Sequence, residues 1–289
     1  MRDISTSVIL LTYNRSDALS AVLYGLSRQK ILPSEIIITD DGSTPLHVDA
    51  IAKLLKSKKW PFNIKYIWHP DTGFTASLAR NQGVRYSTGD YLVFIDGDCV
   101  PRYDFLSEHL RLSSPGCFVN GSRILLSQKL TGELICHPEM IDNSVFFWLR
   151  QRLTGQINKW LPTVIHLPQH FRRAATKFRW SGIRSCNFSV FRNDFIKVNG
   201  FDESFVGWGH EDADFVWRLQ MAGCRRINGY WSTEVFHLWH PEAKRGHEST
   251  NARRLHSRMS DPNTRYEADL GIMDASANSA IVIISILDK

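Results

Sequence analysis

Ser7 to Tyr13 is an almost unbroken apolar run, the pattern of a strand buried on both faces rather than one. Asn14 or Ser16 stands where a cap is needed for a following helix, whose apolar positions Leu19, Val22, Leu23 and Leu26 recur at helical spacing. The alternation repeats. Glu35 to Thr39 reads as a strand before a helix around Val48 to Leu55, Ile64 to Trp68 as a strand before a helix around Thr75 to Arg85, and Tyr91 to Ile95 as a further strand. Strands alternating with helices predict an α/β fold, a mostly parallel sheet flanked by helices. In such sheets ligands sit beyond the carboxyl ends of the strands, which here carry Thr12-Tyr13-Asn14, Asp40-Asp41-Gly42-Ser43 and Asp96-Gly97-Asp98.

Beyond Gly121 the periodicity weakens, and about Leu125 to Trp180 reads as an insertion with some helix of its own. Regularity returns with a strand at Cys186 to Arg192, a short helix at Asp194 to Val198, a Gly- and aromatic-rich loop at Phe201 to Gly209, and a helix at Glu211 to Met221 with Phe215, Val216 and Leu219 inward. The apolar tail Ala280 to Leu287 is too short to cross a bilayer and is expected to be a docking strand or an oligomer contact.

At 289 residues and 43% hydrophobic content the chain can bury a full core, which excludes disorder as its main state. Its net charge of +6 is uneven. Between Asp142 and Asp194 there is no acid, whereas Arg150, Arg152, Lys159, Arg172, Arg173, Lys177, Arg179, Arg184 and Arg192 are interleaved with Phe146, Phe147, Trp148, Trp160, Phe171 and Trp180. Such a segment suits a polyanion or an anionic lipid surface, or is a solvated basic face. Nucleic acid is not expected as a partner, because no helix-turn-helix, zinc-finger or RNP-type motif accompanies the charge. The five cysteines are scattered and never form CxxC, a pattern of neither a disulfide framework nor a thiolate zinc site. With no signal-like segment or membrane span in view, the expected location is the cytoplasm, at most peripheral at the inner face of the membrane.

Three clusters carry candidate chemistry. Asp96-Gly97-Asp98 puts two carboxylates at the end of a buried strand, suited to a hard divalent cation that bridges to phosphate oxygens; strand-end caps use the same residues. Val235 to Pro241 contains His237 and His240, two imidazoles that can complete a cation site, although a buried histidine can also serve packing. Gly207-Trp208-Gly209-His210-Glu211-Asp212 places an aromatic face between glycines ahead of acids in the first turn of a helix, where the macrodipole alone favours acids. A carboxylate there can accept the proton of an attacking hydroxyl.

Together, Thr12-Tyr13-Asn14, Asp40-Asp41-Gly42-Ser43, Ala79-Arg80-Asn81, Asp96-Gly97-Asp98 and Gly207 to Asp212 resemble the GT-A family 2 glycosyltransferases. The later motifs resemble the C-terminal region of galactosyltransferases and N-acetylgalactosaminyltransferases, the whole likeness spanning roughly Ser7 to Pro241. The resemblance implies a GT-A fold in one domain: a donor-binding half over 1–123, the basic-aromatic insertion over 124–184, an acceptor and catalytic half over 185–241, and a C-terminal extension over 242–289. It also implies that Thr12, Tyr13, Asn14, Asp40 and Asp41 contact the nucleoside, Arg80 the diphosphate region, and Asp96 the ribose and metal. Asp98, His237 and His240 would ligate Mn²⁺ or Mg²⁺. Asp212 would be the base, with Glu211 holding the acceptor hydroxyl, or the two roles exchanged; Trp208, Gly209 and Asn81 would contact the sugar. The family loop often has glycine and an acid where this chain has His210 and Ala213.

The implied reaction is inverting displacement from a UDP-sugar onto a hydroxyl of a glycan or lipid-linked glycan. Two other readings compete. A sugar-nucleotide pyrophosphorylase needs a Gly-rich loop after the first strand, and Thr12-Tyr13-Asn14-Arg15 has no glycine. A non-catalytic carbohydrate-binding protein on this fold predicts a missing base or ligand, and each position is filled.

Overall fold

The computed structural model describes residues 4–167, 174, 175, 178, 182–241, 248–274 and 282–286. The first elements follow the expected alternation: β1 (Thr6–Thr12), α1 (Ser16–Ser27), β2 (Glu35–Asp40), α2 (Pro45–Lys56), β3 (Asn63–Trp68), α3 (Ala76–Arg85) and β4 (Tyr91–Asp96). Then come β5 (Cys99–Pro101), α4 (Phe105–Leu112), β6 (Cys117–Asn120), β7 (Ser122–Leu125), α5 (Gln128–Cys136) and α6 (Val145–Leu153). The remainder is β8 (Ala174–Ala175), β9 (Asn187–Phe191), α7 (Arg192–Lys197), α8 (Glu211–Met221), β10 (Arg225–Asn228), β11 (Glu234–His237), α9 (Glu248–Ser260) and β12 (Val282–Ile286).

A nine-stranded sheet runs β12-β3-β2-β1-β4-β9-β6-β10-β8. Its centre, β3-β2-β1-β4, is parallel, as the strand-helix alternation requires. The flanks are mixed: β6 and β10 pair parallel, but β9 inserts antiparallel between β4 and β6, which the sequence pattern did not foretell. Of the two expectations for the tail, the structure shows the docking strand, β12 pairing antiparallel with β3 from Val282 opposite Trp68 to Ile286 opposite Ile64. A second sheet, β5-β11-β7, carries His237.

Why the central strands read as continuous apolar runs is plain from packing. Val8, Leu10, Ile36 and Ile38 face one core with α1, whereas Ile9 and Ile37 face the other with Phe94, Phe188, Phe195, Phe201 and Phe215. In that second core Phe201 stacks on Phe215 with centroids 4.1 Å apart and the rings inclined by 25°, a contact that adds to area burial. Asn14 is not the cap of α1. Its backbone is left-handed (φ 51°), its N–H donates to Ser43 Oγ at 2.7 Å and its side-chain oxygen accepts from Thr44 N–H at 2.9 Å, so it ties the turn after β1 to the turn after β2.

In the basic-aromatic segment, Trp148 of α6 is buried and stacks on Phe236 of β11 with centroids 4.2 Å apart. Phe146 and Leu153 on the same helix stay 80% and 78% exposed. Phe171, Arg172, Arg173, Lys177, Arg179 and Trp180 lie outside the described residues. No helix among the described residues is long and apolar enough to cross a membrane.

Candidate active site

Parallel pairing sets Leu11 opposite Asp96 and Thr12 opposite Asp40, so the polar residues that follow three strands emerge along one edge. Gly97 N–H donates to Leu11 O at 2.6 Å, and a Cβ at Gly97 would come within 3.0 Å of both Leu11 O and Thr12 Oγ1. A side chain there would have to push the turn between the two acids a few tenths of an ångström away from β1.

In the turn after β1, Tyr13 is half exposed and its hydroxyl donates to Asp71 Oδ2 at 3.0 Å. Asp40 and Asp41 sit deeper than their motif suggests. Asp40 is fully buried and accepts from Tyr66 OH at 2.6 Å and from Ser43 N–H at 2.7 Å. Burial raises its carboxyl above the ordinary range, with those two hydrogen bonds opposing. Asp41 accepts from Thr75 N–H at 2.9 Å and from the Thr75 hydroxyl, with His69 Nε2 3.4 Å away, which fixes the start of α3.

Asn81, expected among the sugar contacts, lies beneath the edge instead. It is wholly buried, donating to Phe201 O and Glu203 Oε1, each at 2.8 Å, and accepting from Phe201 N–H at 2.9 Å. A carboxamide satisfies both backbone groups of Phe201 at once, and that use leaves it turned away from solvent.

The cation-binding expectation concentrates on Asp98. Antiparallel pairing sets His237 opposite Cys99, and Leu238 N–H donates to Asp98 O at 2.8 Å, so backbone bonds hold β11 against the second acid. His240 Nε2 lies 3.3 Å from Asp98 Oδ2 and His237 Nε2 lies 3.9 Å from Asp98 Oδ1. Burial, reinforced by Arg123 and His240, pushes His237 down to about 4, leaving a neutral imidazole with a lone pair to give. Burial raises the Asp98 carboxyl, with His240 opposing. One carboxylate and two imidazoles converging in this way fit a divalent transition metal such as Mn²⁺ better than Mg²⁺, which prefers oxygen alone. Asp96 is turned elsewhere: its Oδ1 accepts from Arg80 Nη2 at 3.2 Å. Sequence spacing gave no sign of Cys99, whose Sγ lies 3.5 Å from Asp98 Oδ1 and whose ligand atom falls within 4.8 Å of those of Asp98 and His237. Burial raises the Cys99 thiol well above its ordinary range, with the neighbouring Cys186 thiol adding to the shift.

Across from this cluster the chain enters α8 through Gly207 (φ 80°), Gly209 (φ 110°) and His210 (φ 69°), three left-handed residues in four. Non-glycine residues seldom adopt that conformation, so His210 marks local strain where the acids begin. Gly207 N–H donates to Phe74 O at 2.9 Å, and Asn251 Nδ2 of α9 donates to Val206 O and Gly207 O at 3.2 and 3.3 Å, pinning the loop that carries half-buried Trp208.

Arg80 joins the two sides. It is buried, packs over Phe201 at 5.4 Å, and besides Asp96 it faces Glu211, Nη1 to Oε1 3.7 Å. That Nη1 has no hydrogen-bond partner although it is buried, and neither has Thr12 Oγ1, so the cleft holds donors suited to an oxygen-rich ligand. Burial and then the Asp212 charge push the Glu211 carboxyl up, against Arg80. Asp212 is likewise raised by burial, with Arg80 and the backbone N–H groups of Ala213 and Ser185 opposing. A pair of adjacent carboxyls raised in this way holds one basic group close to neutral pH.

The sequence pattern of glycosyl transferase family 2 matches residues 7–199, and one described as the N-terminal domain of galactosyltransferase matches residues 166–241. Chondroitin synthase of Pasteurella multocida is 28% identical over 79% of this chain and 24% of its own length. Validoxylamine A glucosyltransferase of Streptomyces hygroscopicus is 30% identical over 75% of this chain and 48% of its own. The chain thus spans about a quarter to a half of the length of these relatives. Among solved structures, GalNAc-T7 with UDP, GalNAc and Mn²⁺ superposes with a TM-score of 0.61 at 15% identity, over 89% of this chain and 48% of that one. The Pyrobaculum calidifontis mannosyltransferase with GDP-Man and Mn²⁺ superposes with a TM-score of 0.55 at 17% identity, over 88% of this chain and 61% of that one. At such identities the likeness establishes the shared fold.

Proposed function

Because this chain belongs to glycosyl transferase family 2, we propose that it moves a sugar from a UDP-sugar onto a hydroxyl of a glycan acceptor, with inversion at the anomeric carbon. The observation that carries the reading is Arg80, which faces Asp96 at 3.2 Å and Glu211 at 3.7 Å and so joins the donor-side acids to the acceptor-side acids in one cleft. Asp98, His237 and His240 would hold a divalent cation, Mn²⁺ being the best fit, and when bound it supplies neutralisation of the charge that develops on the departing diphosphate. Tyr13 would face the base and ribose, with Thr12 offering a hydroxyl nearby, whereas Asn14, Asp40 and Asp41 would act by fixing the turns that present them. Arg80 orients the diphosphate side.

On the acceptor side Asp212 takes the proton from the attacking hydroxyl, Glu211 holds that hydroxyl, and Trp208 with Gly209 forms a wall for the sugar ring. A single displacement with one base inverts configuration, so an α-linked donor gives a β-linked product. Replacing Asp212 by Asn lowers kcat by about 10²–10⁴-fold while Mn²⁺-dependent UDP-sugar binding, read by calorimetry, is retained. Loss of binding together with catalysis would instead place Asp212 at the donor. A product that retains the donor's configuration would overturn the inverting scheme.

A glycan acceptor is supported by the relative named for chondroitin, and a lipid-linked form of it by the surface of α6. Phe146, Arg150 and Leu153 recur at i, i+4 and i+7 and so share the face opposite buried Trp148, and Arg152, one turn on from Trp148, is exposed as well. An apolar stripe with basic residues suits the surface of an anionic membrane, which would bring a lipid-linked acceptor near β11. Sedimentation with anionic vesicles, lost on raising salt and in Phe146→Ser with Leu153→Ser, is the expected result; no salt-sensitive binding to anionic vesicles would remove the membrane from the scheme.

A further inference from the structure

His240 lies three residues past the end of β11, outside any strand, yet its Nε2 stands 3.3 Å from Asp98 Oδ2. A local bond turns the ring. Nδ1 lies 2.7 Å from Pro241 O, and because a carbonyl only accepts, Nδ1 carries the hydrogen and the neutral imidazole keeps its Nε2 lone pair on the side of Asp98. The backbone that carries the ring is held from two sides. Leu238 N–H donates to Asp98 O at 2.8 Å on one, while on the other Leu126 N–H donates to His237 O at 3.0 Å and Trp239 N–H donates to Thr131 Oγ1 of α5 at 2.8 Å. Of these three bonds the one beside His240 is the one made to a side chain. From this arrangement we propose that Thr131 is a positioning residue for the cation site: by accepting the Trp239 N–H, its hydroxyl fixes the backbone from which His240 reaches Asp98. The inference rests on reading Asp98 and His240 as part of that site.

The fold makes Thr131 a firm support. It is buried, and its own N–H donates to Ser127 O at 3.0 Å. Ser127 caps α5 by accepting from Leu130 N–H at 3.1 Å, and its N–H donates to Gln156 O at 2.8 Å, which ties the start of the helix to the chain beyond α6. Leu130 and Leu134 of α5 bury in the same core as Phe236 of β11, so helix and strand share one packing unit. Leu238 is wholly buried, which anchors the segment just ahead of Trp239. Without the Thr131 acceptor the Trp239 N–H would turn to solvent for a partner. A small rotation there is amplified at His240 Nε2, at the far end of its ring, whereas metal–ligand bonds tolerate changes of only about 0.2 Å. α5 therefore serves the donor side of the cleft, although it lies in the inserted segment 124–184.

The test follows Mn²⁺ binding by electron paramagnetic resonance, well below the unfolding midpoint of each protein. Thr131→Val keeps the branched shape and removes the acceptor, and it should weaken Mn²⁺ binding by about tenfold or more, the lower end of the effect of partners that stand behind metal ligands. Thr131→Ser keeps the hydroxyl and should bind Mn²⁺ as wild type does. Ile51→Ala truncates a core residue on α2, which packs on α1; it lowers stability and should leave Mn²⁺ affinity unchanged, so that a loss in Thr131→Val is not a report of general loosening. Wild-type Mn²⁺ affinity in Thr131→Val, or an equal loss in Thr131→Ser or in Ile51→Ala, would overturn the role of the hydroxyl and leave the cation site as read. No Mn²⁺ binding by wild type would overturn the cation site itself, and this inference with it.

Discussion

Arg258 of α9 reaches Asp214 of α8 with an Nη1 to Oδ1 contact of 2.6 Å, so a helix of the C-terminal extension holds the helix that opens with Glu211 and Asp212. The contact belongs to a buried network. Arg258 Nη2 also reaches Asp202 at 2.7 Å and Asp269 at 2.6 Å, and Arg218 Nε holds the other Asp214 oxygen at 2.8 Å.

Removing Arg258 leaves fully buried Asp202 short of a counter-charge and fully buried Asp214 with Arg218 alone. Breaking a buried pair by deleting one partner costs about 3–5 kcal/mol, so Arg258→Met should lower the unfolding free energy by that order in denaturant titrations. Arg258→Lys should recover only part, because one ammonium cannot reach three carboxylates with the reach and donor geometry of a guanidinium. A stability change within about 0.5 kcal/mol, the scale of an ordinary surface substitution, would show that the network is not needed to seat α8.

Asn81 yields a second expectation, opposite in kind to the one its motif suggests. Asn81→Ala leaves the N–H and C=O of Phe201 without partners inside the core, which costs about 1–3 kcal/mol per unsatisfied group. Thermal unfolding should therefore register the change, while the affinity for a UDP-sugar, measured well below the midpoint, stays near that of wild type. A loss of sugar affinity without a loss of stability would return Asn81 to the substrate surface.

These cases show what was legible in the sequence and what was not. The central strands could be read because burial on both faces turns β1, β2 and β4 into apolar runs, and the acids at their ends follow from strand polarity. The β5-β11-β7 sheet could not, because strands of three or four residues carry too little periodicity, and the meeting of Cys99 with His237 depends on a register between segments 138 residues apart in number, as read from the chain. β9 was legible as a strand but not as antiparallel, since direction is decided by its neighbours. Asn14, Asp40 and Asn81 were legible as polar motif members, yet a side chain that satisfies buried backbone and one that faces a ligand look alike in sequence; only burial separates them. The left-handed φ of His210 is likewise set by the loop and not by residue type.

Glu211 supplies the prediction with two opposed readouts. Burial and Asp212 raise its carboxyl above the unfolded value, so the folded state favours the protonated form. The stability that this contributes is fully present below the unfolded pKa and is lost as pH rises through the folded one. Glu211→Gln should abolish that part of the pH dependence and be the more stable protein above the raised pKa. Asp96 and Asp98 act with the same sign, whereas His237, lowered to about 4, favours folding less as pH falls below its ordinary value; comparing wild type with Glu211→Gln at each pH removes these common contributions. Activity should move the other way. Asp212 must be ionised to accept a proton, and burial raises it too, so kcat should climb with pH over a window above the ordinary carboxylate range while stability declines. In Asp212→Asn the charge that helps to raise Glu211 is gone, and the Glu211 part of the stability–pH curve should shift to lower pH. A stability curve that does not move would mean that the two carboxyls are not coupled across the first turn of α8.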